Sequence, residues 1–284
     1  MLTSVIRLAA PRVSRAAVPL VRSLATHARP APARRVGGAV AAALLGGSLG
    51  GSALSMCLAS DVTATADSLF ESNQYGKLVD LLRDELSRKP EDVDVLWRLA
   101  RALKKSADPL SKTEQEPLLR EALALAERAI KADASRGPAH KWYAICLSQV
   151  GSFGSTSDKI KNSFVVRDHF EQAATLSPTD ATSKHLLGLW CFEVAKLSWI
   201  EKKAAAALFA SPPTATFEEA IDHLLAAEQT EPDFYPKNQL LLAQAYAKAG
   251  DKAEARTWLA RCLAATPKTP EDEETIREAS QLKI

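Results

Sequence analysis

Aromatic residues make up 6% of this 284-residue chain, and it has two methionines and four cysteines. Long alternating runs of β-branched residues are missing, which removes the pattern a sheet protein needs. The cysteines, Cys57, Cys146, Cys191 and Cys262, are far apart and form no Cys-x-x-Cys pair. That argues against a disulfide framework and fits a reducing compartment. Acids are absent from the first 60 residues; the first is Asp61. The same stretch holds seven arginines: Arg7, Arg12, Arg15, Arg22, Arg29, Arg34 and Arg35. Taking those seven from the 36 basic residues leaves 29 against 34 acids, so the body carries a net charge of −5. An acidic body speaks against a nucleic-acid partner.

What the chain does have is helix-forming composition, rich in Ala, Leu, Glu, Lys and Arg. The expected class is all-α. Residues 1–35, with spaced arginines, Ser and Thr, read as a mitochondrial transit peptide-like leader. Residues 36–60 are 25 residues without a charge, long enough to span a bilayer as a helix. Gly46 and Gly50, like Gly47 and Gly51, stand at small-xxx-small spacing. The six glycines weaken the apolar character, and the segment reads equally as a membrane anchor or as an Ala/Gly-rich linker.

From 61 to 284 a proline-punctuated pattern with a period near 34 recurs five times. Small residues at one helix position are Ala66, Ala100, Ala144, Gly188 and Ala243. A second helix in each unit offers Leu78-x3-Leu82, Ala122-x3-Ala126, Val166-x3-Phe170, Ala220-x3-Leu224 and Ala255-x3-Leu259. Pro90, Ala134, Pro178, Pro232 and Pro267 follow, each eight residues after its second-helix pair. This is the tetratricopeptide frame. The expected architecture is a right-handed tetratricopeptide-like helical solenoid of about five helix pairs.

From the small residue to the second helix is 12 residues in units one and five, 22 in units two and three, and 32 in unit four. The three central units therefore carry long intra-pair insertions, expected on one face of the solenoid. SADPLSKTEQEP, in unit two, reads as a Ser/Asp/Pro loop. WIEKKAAAALFASPPTATFEEA, in unit four, reads as a prolonged helix stopped at Pro212-Pro213 and restarted from a Thr216 cap. PEDEETIREASQL at the end reads as a short capping helix with acids in its first turn.

Chemistry-bearing motifs are few. GSFGSTSDK lacks the phosphate-loop spacing and reads as a helix cap. His140, His169, His185 and His223 are scattered without metal-ligand spacing. No catalytic constellation stands out, and neither cofactor nor metal is expected. Arg98, Arg101 and Lys105 share one helical face at i, i+3 and i+7, suited to an acidic partner segment. His140, Trp199 and Asn238 join them as candidate partner-binding residues, while Trp190 and Trp258 read as core.

Gly188-Leu189-Trp190, Leu197-Ser198-Trp199, Glu201, Phe209-Ala210-Ser211-Pro212-Pro213 and Pro232-x-Phe234-Tyr235-x-Lys237-Asn238 together resemble the regulator of microtubule dynamics family. GPAHKWYAICLSQVG and IKNSFVVRDHFEQAATLSP resemble it too, and the likeness spans roughly residues 66–270. The resemblance implies an α-helical repeat protein associated with microtubules and the spindle, with some members tied to mitochondria. It brings no catalytic residues. The leading expectation is a non-enzymatic, mitochondria-associated protein that holds a protein or peptide on its concave face. A form anchored in the outer membrane and facing the cytosol reconciles leader and microtubules; a cytoplasmic, spindle-associated protein is the alternative. Two other classes stay open: a lipid-binding or membrane-contact protein with a closed helical cavity, and an assembly scaffold of a mitochondrial membrane complex.

Overall fold

The computed structural model describes residues 62–198, 202–203, 205–206 and 213–284. The leader, the apolar segment 36–60 and Trp199 lie outside the described residues. Among those described, no helix is long and apolar enough to cross a membrane.

The described chain is all-helical. Unit one pairs α1 (62–71) with α2 (Tyr75–Arg88). Unit two pairs α3 (Val93–Ala107) with α4 (Lys112–Ala132), and unit three α5 (Gly137–Gly151) with α6 (Thr156–Leu176). Unit four pairs α7 (Ala181–Ala195) with α8 (Phe217–Thr230), and unit five α9 (Pro236–Ala249) with α10 (Lys252–Ala264). The capping helix α11 (Pro270–Gln281) follows, with Thr269 as its cap. Helices packed against each other are mostly neighbours in sequence, as in a tetratricopeptide-like solenoid.

The repeat residues build the core. Ala66, Ala100, Ala144, Ala243 and the second-helix Leu78, Leu82, Ala122, Ala126, Phe170, Ala220 and Leu224 are each 0% exposed. Gly188 has no room for a side chain. A Cβ there would stand 2.7 Å from Leu224 Cγ and 3.1 Å from its backbone nitrogen. Each proline-ended helix pair stops two or three residues before its terminator, because proline has no N–H to continue the ladder.

The turns explain the spacing. In unit five Gly250 takes φ +98°, a left-handed stop, and Asp251 at once caps α10. Asn73, at φ +57°, turns unit one as tightly. Units two and three differ from the expectation. Their extra residues are helix, not loop: α4 and α6 are each 21 residues long, against 14 for α2. Residue spacing counts chain, not conformation. Ser111 with Glu114, and Ser155 with Asp158, form capping boxes that start those helices early. Pro117, read as part of a loop, lies inside α4. In unit four α7 and α8 keep ordinary lengths of 15 and 14, so the excess falls between them. Thr216 and Glu219 form the expected capping box there.

Candidate functional site

First helices of such pairs line the inner face of a helical solenoid. On α3, the first helix of unit two, lie Arg98, Arg101 and Lys105. Asp67 of α1 accepts from Arg98 Nη2 at 2.8 Å and from Arg101 Nη2 at 2.6 Å. Arg98 also donates to Asp94 and lies 4.2 Å above the Trp97 ring. Arg101 lies 3.8 Å above Phe70. Only 12% and 13% of these two side chains is exposed, so both guanidinium groups arrive with an internal anion and an aromatic floor. Burial raises the Asp67 carboxyl, but the hydrogen bonds and charges of Arg98 and Arg101 outweigh it and hold it below the usual range.

Lys105 is the more open cation, 32% exposed, with Asp108 at 3.8 Å. Burial and neighbouring Lys104 lower its pKa; Asp108 and Glu271 oppose that shift. Glu271 belongs to α11. The negative charge of the capping helix therefore acts on unit two.

His140 and Asn238 are not part of this cationic face. His140 is 2% exposed. Its Nε2 meets the Ala134 carbonyl at 2.9 Å, and a carbonyl only accepts, so Nε2 carries the proton. Its Nδ1 then accepts from Nδ1–H of His169, 2.7 Å away. The rings stack at 4.9 Å, and Tyr143 covers His169 at 4.5 Å. Burial, then His140, lowers the His169 pKa.

Asn238 is fully enclosed, and its amide is committed inside the fold. Its Oδ1 accepts from His185 Nδ1 at 3.0 Å; its Nδ2 donates to the Leu224 carbonyl and to Glu228. Glu228 also accepts from the Asp233 amide at 2.9 Å and from Arg261 at 2.7 Å. This network ties α7 and α8 of unit four to α9 and α10 of unit five. Burial pushes His185 down to about 4. Phe234 and Tyr235 face its ring edge-on, and Tyr235 donates to Glu271 at 2.6 Å. A partner reaches neither His140 nor Asn238 without opening the helix pairs around them.

The remaining chemistry is quiet. Burial pushes the thiols of Cys146 and Cys191 up to about 12 and that of Cys262 to about 11, so none is a nucleophile at neutral pH. Among the described residues no group of three or more His, Cys, Asp or Glu is arranged to hold a metal ion. A cleft of about 480 Å³ beside α10 is lined by Asp233, Phe234, Arg261, Lys268 and Asp272 among others, with charges of both signs. Trp190 and Trp258 are core residues, as their positions suggested.

Sequence reading missed Asp67, His169, Glu228 and Arg261. Asp67 had a signal: it follows Ala66 as Arg101 follows Ala100, one 34-residue repeat apart.

The comparisons agree with this architecture. A thermophilic tetratricopeptide repeat protein of Thermus thermophilus superposes with a TM-score of 0.56 at 17% identity, over 78% of this chain and 99% of that one. Mouse regulator of microtubule dynamics protein 1 is 44% identical over 225 residues, 78% of this chain and 73% of that protein. Rat regulator of microtubule dynamics protein 3 is 35% identical over 196 residues, 67% of this chain and 41% of that protein. The family model for regulator of microtubule dynamics protein 1-3 matches residues 62–283, the whole helical array, and the chain belongs to that family.

Proposed function

We propose that this chain is a non-enzymatic, protein-binding regulator of microtubule dynamics carried on mitochondria by its basic leader. Its inner face would take an extended acidic segment of a partner, with Lys105 as the leading contact and Arg98 and Arg101 behind it. What supports this reading is the row of Arg98, Arg101 and Lys105 on α3, the first helix of a pair in a five-pair array whose relatives are microtubule regulators. The acidic body favours a local basic contact over attachment through net charge.

Cosedimentation of the purified full chain with polymerised microtubules tests it. Wild-type protein is expected in the pellet, and Lys105→Glu, which leaves the Asp67 pairs in place, is expected to shift toward the supernatant. Wild-type protein that stays in the supernatant would sink direct microtubule contact. Protease protection on isolated mitochondria tests the address: digestion without permeabilisation places the array in the cytosol, within reach of microtubules. Mass spectrometry of the purified chain separates this reading from lipid carriage, which requires a stoichiometric co-purifying lipid.

A further inference from the structure

We propose that Thr266 is a phosphorylation site for a proline-directed protein kinase, and that the cleft beside α10 receives the phosphate through Arg261 and Lys268. Ser or Thr precedes proline at Ser177, Ser211, Thr266 and Thr269. Ser211 lies outside the described residues. Ser177 is half-buried, and its Oγ fills the space where a side chain at Gly137 would stand. The Thr269 hydroxyl accepts from the Asp272 amide in the capping box of α11, beside a carboxylate that repels phosphate. Thr266 is exposed, lies between α10 and α11 outside any helix, and makes no side-chain hydrogen bond among the described residues. The chain on both sides of it is extended, with φ −66° and ψ 142° at Ala265 and φ −137° and ψ 158° at Thr269. Extended, exposed chain is what a kinase groove can take in. Pro267 has no N–H, so it suits a groove that offers the next amide no partner.

Thr266, Arg261 and Lys268 line the same cleft. Among the described residues the Lys268 ammonium has neither a hydrogen bond nor an ion pair. Arg261 reaches Glu228 and Asp233 through Nη2 alone, which leaves Nε and Nη1 for a third acceptor. The two acids of the cleft are already answered. Asp272 accepts from the amides of Lys268 and Thr269, and Asp233 from Gln239 and Arg261. In the transfer, Thr266 Oγ1 bonds to the γ-phosphorus of ATP, the bond from that phosphorus to the ADP oxygen breaks, and the hydroxyl proton passes to the base of the kinase. The product carries a charge of about −1.5 to −2 and three strong acceptor oxygens. Held by Arg261 of α10 and by Lys268 next to α11, it pins the connection that joins the capping helix to unit five.

Incubation of the full chain with ATP and a proline-directed kinase, followed by mass-spectrometric mapping, tests the site. Thr266 is expected to carry the phosphate, and Thr266→Ala to lose most of the uptake. Thermal unfolding tests the receiving cleft. The phosphorylated chain is expected to unfold about 2–4 °C higher than the unmodified one at low salt, with the gain fading in high salt. Lys268→Gln keeps the Thr-Pro pair and the amide bond to Asp272; once phosphorylated, it is expected to show a smaller rise. No phosphate on Thr266, while a control substrate is labelled, overturns the site. Undiminished uptake by Thr266→Ala overturns it as well. A phosphorylated chain that unfolds no higher, or a rise that Lys268→Gln retains in full, overturns the cleft as the receiver.

Discussion

Two polar clusters hold neighbouring helices together, and they sit in different media. At the start of the array, Asp67 clamps Arg98 and Arg101 across α1 and α3, with 39% of the aspartate side chain open to solvent. Near the end, His185, Asn238, Glu228 and Arg261 join α7, α8, α9 and α10, with Asn238 fully enclosed and 6% of the Glu228 side chain exposed. Both use carboxylate and guanidinium. In the first the carboxylate is open and its guanidinium partners are shut in; in the second the carboxylate is shut in and the Arg261 side chain is 37% exposed. Burial, rather than the number of bonds, therefore sets the cost of losing a member.

The largest expected effect comes from Glu228→Ala. It strands the Asp233 amide and one donor of Asn238, and takes from Arg261 one of its two carboxylate partners. A loss of about 3–5 kcal/mol in urea unfolding is expected. A loss below about 1 kcal/mol would erase the distinction between the clusters.

Acid separates them next. His185 is neutral in the fold, with a pKa depressed to about 4 by burial. The unfolded chain takes up this proton near the ordinary histidine pKa of about 6.5, and the folded chain does not. The stability of the neutral form is complete above about pH 6.5 and is lost as pH falls toward 4, on the order of 3 kcal/mol over the window. Asp67 runs lower. Its depressed pKa preserves the first cluster until pH drops below the ordinary carboxylate range. Urea midpoints between about pH 7 and 4.5 should therefore fall in wild-type protein and fall less in His185→Gln, where His169 and His223 still contribute in the same direction. Asp67→Ala should leave the slope unchanged.

Asp67→Ala itself is expected to cost about 1–3 kcal/mol at neutral pH, since Arg98 keeps Asp94 but Arg101 loses its carboxylate while 13% exposed; the open Asp67 side makes the loss smaller in high salt. Urea unfolding at two salt concentrations measures this. An effect as large as that of Glu228→Ala would mean the first cluster is not buffered by water.

How much of this was legible depended on periodicity. Ala66, Ala100, Ala144, Gly188 and Ala243 mark the close contacts in register, so the five pairs could be read from spacing alone. Asp67 and Arg101 fall one repeat apart and were readable from the same frame. His140 and His169 were not, because their meeting depends on how far α6 runs back toward α5, which the Ser155 capping box decides. His185 and Asn238 are 53 residues apart, across the unit-four excess. Their pairing needs the path of α8, and spacing does not encode that path.

The smallest effect links the two regions. Glu271 accepts from Tyr235, whose ring faces His185, and its charge acts on Lys105 beside the first cluster. Burial, with Glu271 as the next cause, raises the Tyr235 pKa, so this hydroxyl stays a donor at any physiological pH. Glu271→Gln keeps an acceptor for Tyr235 and removes only the charge. A double-mutant cycle with Lys105→Ala should then give a coupling of a few tenths of a kcal/mol, fading in high salt, because Lys105 is a third exposed. Zero coupling at low salt would mean that the capping helix does not reach unit two, and that the two clusters stabilise separate halves of an open array. A coupling that persists in high salt would mean a direct, desolvated contact between α11 and unit two.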